Sequence, residues 1–215
     1  ASLYFFVMAI PAFRAKVIKG VFSASVFSMV SKVVAFILSL LLFRALTLTE
    51  YGGYQLAIAT WGILTTFLFQ GLFQFVMGRS ARSLGAGDPT ASQTLIAGLF
   101  LFQVITCSVL FLFIQICCQY HLLFDPAVRP LLWSFSFTLF AFPFGNCVRI
   151  FLSLDQKFVL MNLLTVAEDL LKMGLIIVSL FILKERNAQV VIDSIVISAL
   201  VLSGIATFFA RHQFI

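Results

Sequence analysis

Residues 41–74 read LLFRALTLTEYGGYQLAIATWGILTTFLFQGLFQ. One apolar run closes here and another opens, and the corner between them holds Arg44, Glu50, Tyr51, Gly52, Gly53 and Tyr54. Each arm belongs to a run of the length that crosses a bilayer, which takes about 20 predominantly apolar residues. Polar chemistry is confined to the join. The stretch predicts two membrane helices meeting in a short, specific turn.

The whole chain supports that reading. Hydrophobic residues make up 62% and charged residues 10%, with mean hydropathy +1.12. Soluble domains are about half apolar and about a quarter charged, so water could not solvate this surface. The 27 phenylalanines suit side chains facing acyl tails. A net charge of +6 then reads as cation-rich cytoplasmic loops rather than a nucleic-acid footprint. Cys107, Cys117, Cys118 and Cys147 lie in or beside apolar runs without metal-ligand spacing, which predicts buried free thiols.

Six runs qualify as spans, at about 20–43, 52–77, 92–117, 127–148, 158–183 and 189–210. All are expected to be helices, because an open strand leaves its backbone unsatisfied in hydrocarbon. The expected class is all-α: a polytopic bundle of about six transmembrane helices filling 20–215. A lead segment, 1–19, is expected to be interfacial or partial, its opening apolar stretch over 1–13 ended by Pro11. Its basic residues, Arg14, Lys16 and Lys19, follow its apolar run, unlike those of a signal peptide. The chain opens on Ala rather than Met, so upstream residues are expected.

Placing Arg14, Lys16 and Lys19 inside also puts Arg79, Arg82, Arg149, Lys157 and Arg211 inside. Arg44, Arg129, Lys184 and Arg186 are then outside, eight cations against four. Tyr51, Tyr54, Tyr120 and Trp133 cluster toward the same outer boundary. This predicts a multi-pass protein of the cytoplasmic membrane with both ends of the bundle inside, and a basic Gly-rich loop over 78–92. No phosphate-binding loop, triad or metal cluster is legible, so neither an enzyme nor a cofactor is expected. His121 and His212 read as solvated loop residues.

Ionisable residues within the spans carry the functional signal. Lys32 lies near the middle of the first span, and Glu168, Asp169 and Lys172 near the middle of the fifth. A central charge costs about 2.5–3.5 kcal/mol on insertion scales. Both sets fall on the order of 15–20 Å from the inner boundary at helical rise, the depth at which transporters hold cargo. Glu168 and Asp169 precede Lys172 by four and three residues, so one acid is expected to neutralise it and the other to meet a partner such as Lys32. Ser25, Ser28, Lys32, Ala35 and Ser39 share one face of the first helix, and Thr66, Gln70 and Gln74 one face of the second. With Gln103, Thr106 and Asn162 they predict a polar, partly cationic cavity. The competing reading is that these groups simply hold helices together. Asp193 reads as a helix-start acid.

The corner adds a resemblance. Arg44, Leu46, then Glu50, Tyr51, Gly52 and Tyr54, followed by Gly71 and Leu72 and the basic Arg79–Arg82 segment, resemble the polysaccharide transport family. These are flippases for lipid-linked O-antigen and exopolysaccharide units within the multidrug/oligosaccharidyl-lipid/polysaccharide exporter superfamily. Motif-level likeness covers about 42–82, and Gln70 stands where many members carry an acid. Members have twelve or more spans in two lobes, so the resemblance implies an N-terminal lobe completed by a second six-helix lobe. It also implies movement of an undecaprenyl-diphosphate-linked oligosaccharide across the membrane. Arg44 and Glu50 would anchor the outer turn, with Tyr51 and Tyr54 at headgroup level and Gly52 permitting a tight turn or close packing. Alternatives are a multidrug or peptidoglycan-precursor exporter of the same superfamily, or a non-transporting subunit of a glycan-synthesis complex.

Overall fold

The computed structural model describes residues 2–122, 124–182, 184 and 187–211, without the side chains of 2–19, 21, 67–68 and 209–211. Arg186 and His212, and the side chains of Arg14, Lys16, Lys19 and Arg211, therefore lie outside the described residues. The described chain is helical, with no strand among its elements. Helix α1 spans Ser2–Ala45, α2 Leu48–Thr65, α3 Gly71–Gly85, α4 Pro89–Gln119, α5 Arg129–Phe135, α6 Phe142–Leu154, α7 Phe158–Ile177 and α8 Ala188–Arg211. Pro11 does not end the opening apolar stretch, because the backbone of α1 runs through it.

Each of the six predicted runs falls on helix, but they are not six equal spans. Among the described residues, Phe22–Ala45, Pro89–Gln119 and Ala188–Phe208 are long and apolar enough to cross a membrane. Arg129–Phe140 with Phe142–Leu154, bent by 44°, makes a fourth if counted as one broken span. The second run divides into α2 and α3 across a π turn, Thr66–Gln70, and α2 itself carries Thr, Glu, Gln and Gly among its apolar residues. The fifth, α7, holds three ionisable residues at its centre and continues into a second π turn, Val178–Ile182.

The corner is built by a helix cap. Thr47 ends the two-residue link after α1, and its Oγ1 accepts from the Glu50 N–H at 3.3 Å. Glu50 Oε2 in turn accepts from the Thr47 N–H at 3.0 Å and its hydroxyl at 2.8 Å, a reciprocal capping box. Arg44 is exposed and makes no ion pair with Glu50, correcting the expectation that the two anchor the turn together. Tyr51 packs edge-on to Phe43 with ring centroids 5.6 Å apart, and its hydroxyl accepts from Gln55 Nε2 at 2.8 Å. Tyr54 is buried in the core. Gly52 sits inside α2 with open space where a Cβ would stand, so neither a turn nor close packing requires it. Thr47→Ala should therefore cost about 1 kcal/mol, whereas Thr47→Ser keeps the cap. Thermal unfolding in detergent tests this, and equal melting of the Ala and wild-type proteins would mean that the box contributes nothing.

The expected loop over 78–92 is largely helical, since α3 runs to Gly85 and α4 starts at Pro89. Only Ala86–Asp88 joins them. Gly87 takes φ +82°, the left-handed conformation that glycine adopts without steric cost, and its N–H donates to Leu84 O. Asp88 caps α4 by accepting from the Ala91 N–H at 3.0 Å. The Thr90 hydroxyl, then that N–H, hold its carboxyl below the usual carboxylate range.

Helix α1 packs chiefly along α7. Near one end of that contact the two approach closely: a Cβ on Gly20 would lie 3.1 Å from the Phe158 ring. The main core joins Leu42 of α1, Ala57 and Trp61 of α2, Ile114 of α4, Leu132 of α5, Ile176 of α7 and Ile192 of α8. A second, smaller core joins Val76 of α3 with Ile96 and Leu99 of α4 and Ile150 of α6. The four cysteines are free and buried, as expected.

Candidate functional site

Two breaks in the helices shape the site. Thr65 Oγ1 turns back to accept its place beside the Trp61 carbonyl, donating to it at 2.9 Å, just before the π turn. Such back-bonding competes with the helical ladder, and π turns insert one residue that re-aims the face beyond them. The second break lies between Phe140 and Phe142. Pro143 brings no N–H to the first turn of α6, and the Ala141 carbonyl accepts both the Gly145 N–H at 3.0 Å and the Ser203 hydroxyl of α8 at 3.2 Å.

Beside the second break lies a cavity of about 260 Å³ between α2, α5, α6, α7 and α8. Its polar lining includes Thr138, Asn146, Arg149, Glu168, Lys172 and Ser203, against Trp61, Phe135 and Phe142. Along the π turn lies another, of about 490 Å³, whose polar wall includes Thr66, Gln70, Gln74, Arg149, Ser153 and Thr165. Phe142, Asn146 and Arg149 line both, so the two adjoin across α6. The predicted Thr66, Gln70 and Gln74 face is present in one wall.

The charges are distributed differently from the expectation. Lys172 Nζ lies 3.4 Å from Asp169 Oδ1, one turn back on α7, with about a quarter of each side chain exposed. Glu168 does not meet Lys32; its Oε2 accepts from Arg149 Nη2 of α6 at 3.3 Å. Lys32 is exposed on α1 and makes no ion pair among the described residues. The reason is helical phase: Val34, Leu38 and Leu42 form the buried stripe of α1, and Lys32 stands two residues, about 200°, away from Val34. Ser28, one turn earlier, shares that exposed face.

The structure thus brings Lys172, Glu168 and Gln70 to the cavities, with Asp169 behind Lys172, and leaves Lys32 and Ser28 outside them. Asn162 is half-buried on α7 off both cavities, its Nδ2 unpaired among the described residues. Gln103 is wholly buried on α4, also off both, with its amide oxygen and nitrogen unpaired among the described residues. Asp193 accepts from Gln189 Nε2 at 3.0 Å near the start of α8, where a helix-start acid was expected. His121 contacts Arg129, which also donates to the Phe124 carbonyl.

Arg149 and Asn146 were missed as site residues. Their signal was present in FGNCVRIFL, residues 144–152, where both stand inside an apolar run, three residues apart and on one helix face. Counting Arg149 as a loop cation hid it. Among the described residues no cluster of three or more His, Cys, Asp or Glu could hold a metal ion. No family model, curated protein or solved structure matches this chain.

Proposed function

We propose that this chain is one lobe of a membrane flippase that moves a polyprenyl-diphosphate-linked oligosaccharide, undecaprenyl-diphosphate in the reading above, between leaflets. The observation that carries the reading is the paired cavity in an otherwise lipid-facing protein, with two cations, Arg149 and Lys172, against one carboxylate, Glu168, on its walls. An excess of positive lining favours an anionic cargo. Asn146, Gln70, Gln74, Thr138 and Ser203 offer the donors and acceptors that sugars need. The acyl tail stays in the bilayer, so only the headgroup has to be enclosed.

Lys32 supports the second lobe as a partner. A mid-span ammonium facing lipid is costly, and with Ser28 and Ser39 it marks a polar face of α1 that suits another helical unit. The count of cations near the predicted span ends, seven against four once Arg149 is set aside, favours the cytoplasmic membrane with both ends of the lobe inside. The same cavity also suits a peptidoglycan precursor, which shares the polyprenyl-diphosphate anchor. Mass spectrometry of co-purified lipid separates the two by sugar composition. A multidrug exporter for cationic cargo is disfavoured by the same lining, where two cations face one carboxylate.

Flipping of a fluorescent polyprenyl-diphosphate oligosaccharide in vesicles, by the full-length protein, tests the proposal. Arg149→Ala should slow it by at least about tenfold, as expected for loss of a charged hydrogen-bond donor to the cargo, and Lys172→Ala by a smaller factor. Unchanged rates in both variants would remove the cavity from transport.

A further inference from the structure

We propose that Arg149 is the anion-recognising group of this chain, and that an incoming phosphate displaces Glu168 from its guanidinium. The proposal rests on the reading above only in taking the cargo to be anionic. Three observations carry it. Arg149 is the one cation among the described residues that lines both cavities. Its side chain is 47% exposed and Glu168's 27%, so the pair is reachable from the cavity.

The third is the weakness of the clasp. Guanidinium offers five N–H donors, and of these only Nη2 is engaged among the described residues, by a single carboxylate oxygen at 3.3 Å. Strong charge-assisted contacts are about 2.7–2.9 Å and often two-pronged. A phosphate oxygen pair fits the planar fork bidentately, so it competes well for the same donors. Lys172 cannot serve as readily. Its ammonium is a compact point charge held by Asp169 on its own helix, and it lines only the smaller cavity. Asn146, one turn before Arg149 and also facing both cavities, is placed to hydrogen-bond whatever the guanidinium holds.

Displacement and simple attraction both predict tighter anion binding once the Glu168 charge is gone. Only displacement makes that gain depend on Arg149: it should vanish in Arg149→Gln/Glu168→Gln, and a gain that persists there overturns the displacement. Glu168 competes with the anion, so removing its charge should strengthen binding. The full chain in neutral-lipid nanodiscs is titrated with farnesyl diphosphate, with farnesol as the uncharged control and thermal melting run on every variant. Glu168→Gln should tighten the diphosphate about fivefold, the upper range for a partly exposed ion pair. Arg149→Gln should weaken it about tenfold or more, and Arg149→Lys by less, since the charge stays but the fork is lost. A gain of affinity in Glu168→Gln cannot arise from misfolding. Unchanged or weaker binding in Glu168→Gln, or unchanged binding in Arg149→Gln, overturns the displacement while leaving the transport reading standing. No preference of the wild type for farnesyl diphosphate over farnesol overturns the anionic cargo itself, and the displacement with it.

Discussion

Trp61→Ala should destabilise the protein by about 3 kcal/mol, at the lower end of the range for Trp or Phe truncation in a packed core. Trp61 is 9% exposed, and its indole stacks on Phe135 of α5 with centroids 5.6 Å apart and planes 14° from parallel. It also walls the smaller cavity, so its loss enlarges a space that already exists. Within a bilayer the cost is not exposure to water, because lipid tails are as apolar as the indole. It comes from dispersion contacts that no neighbour replaces. Trp61→Phe should recover more than half of the loss. Equilibrium unfolding in mixed detergent measures both, and a change below about 0.5 kcal/mol for Trp61→Ala would place it among substitutions that touch no packed feature.

Lys172→Met should cost about 2 kcal/mol, less than the 3–5 kcal/mol for breaking a fully buried pair because about a quarter of each partner is exposed. The penalty arises from what remains: Asp169 loses the ammonium at 3.4 Å and is left without its partner at the centre of an apolar helix. The double variant Asp169→Asn/Lys172→Met should regain most of the stability, since neither partner is then stranded. A double-mutant cycle reads the coupling directly. If the double variant melts as low as Lys172→Met, the lysine acts through packing of its stem instead of its charge.

The cavity was partly legible in advance. Lys172, Glu168 and Asp169 stood out because charges are rare in apolar runs, and Gln70 and Gln74 because they repeat at helical spacing. Lys32 met the same criterion and lies elsewhere, while Arg149 met it and was read as a marker of orientation. Depth along a helix follows from counting residues, but direction around it does not. The π turn at Thr66–Gln70 and the 44° bend near Phe142 both alter the phase on which such reasoning depends. The capping box shows the opposite case: Thr47 and Glu50 interact across three residues, and local spacing is enough to specify them.

The amino-acid sequence by itself determined that this chain is helical and lipid-facing, because its composition excludes a water-solvated surface and hydrocarbon demands internally satisfied backbone. It also determined which elements carry charge near the middle of an apolar run. Only the tertiary structure decided that Glu168 meets Arg149, that Asp169 takes Lys172, and that Lys32 faces away from both. Those pairings depend on how α1, α6 and α7 rotate against one another, and rotation is set by packing between residues far apart in the chain.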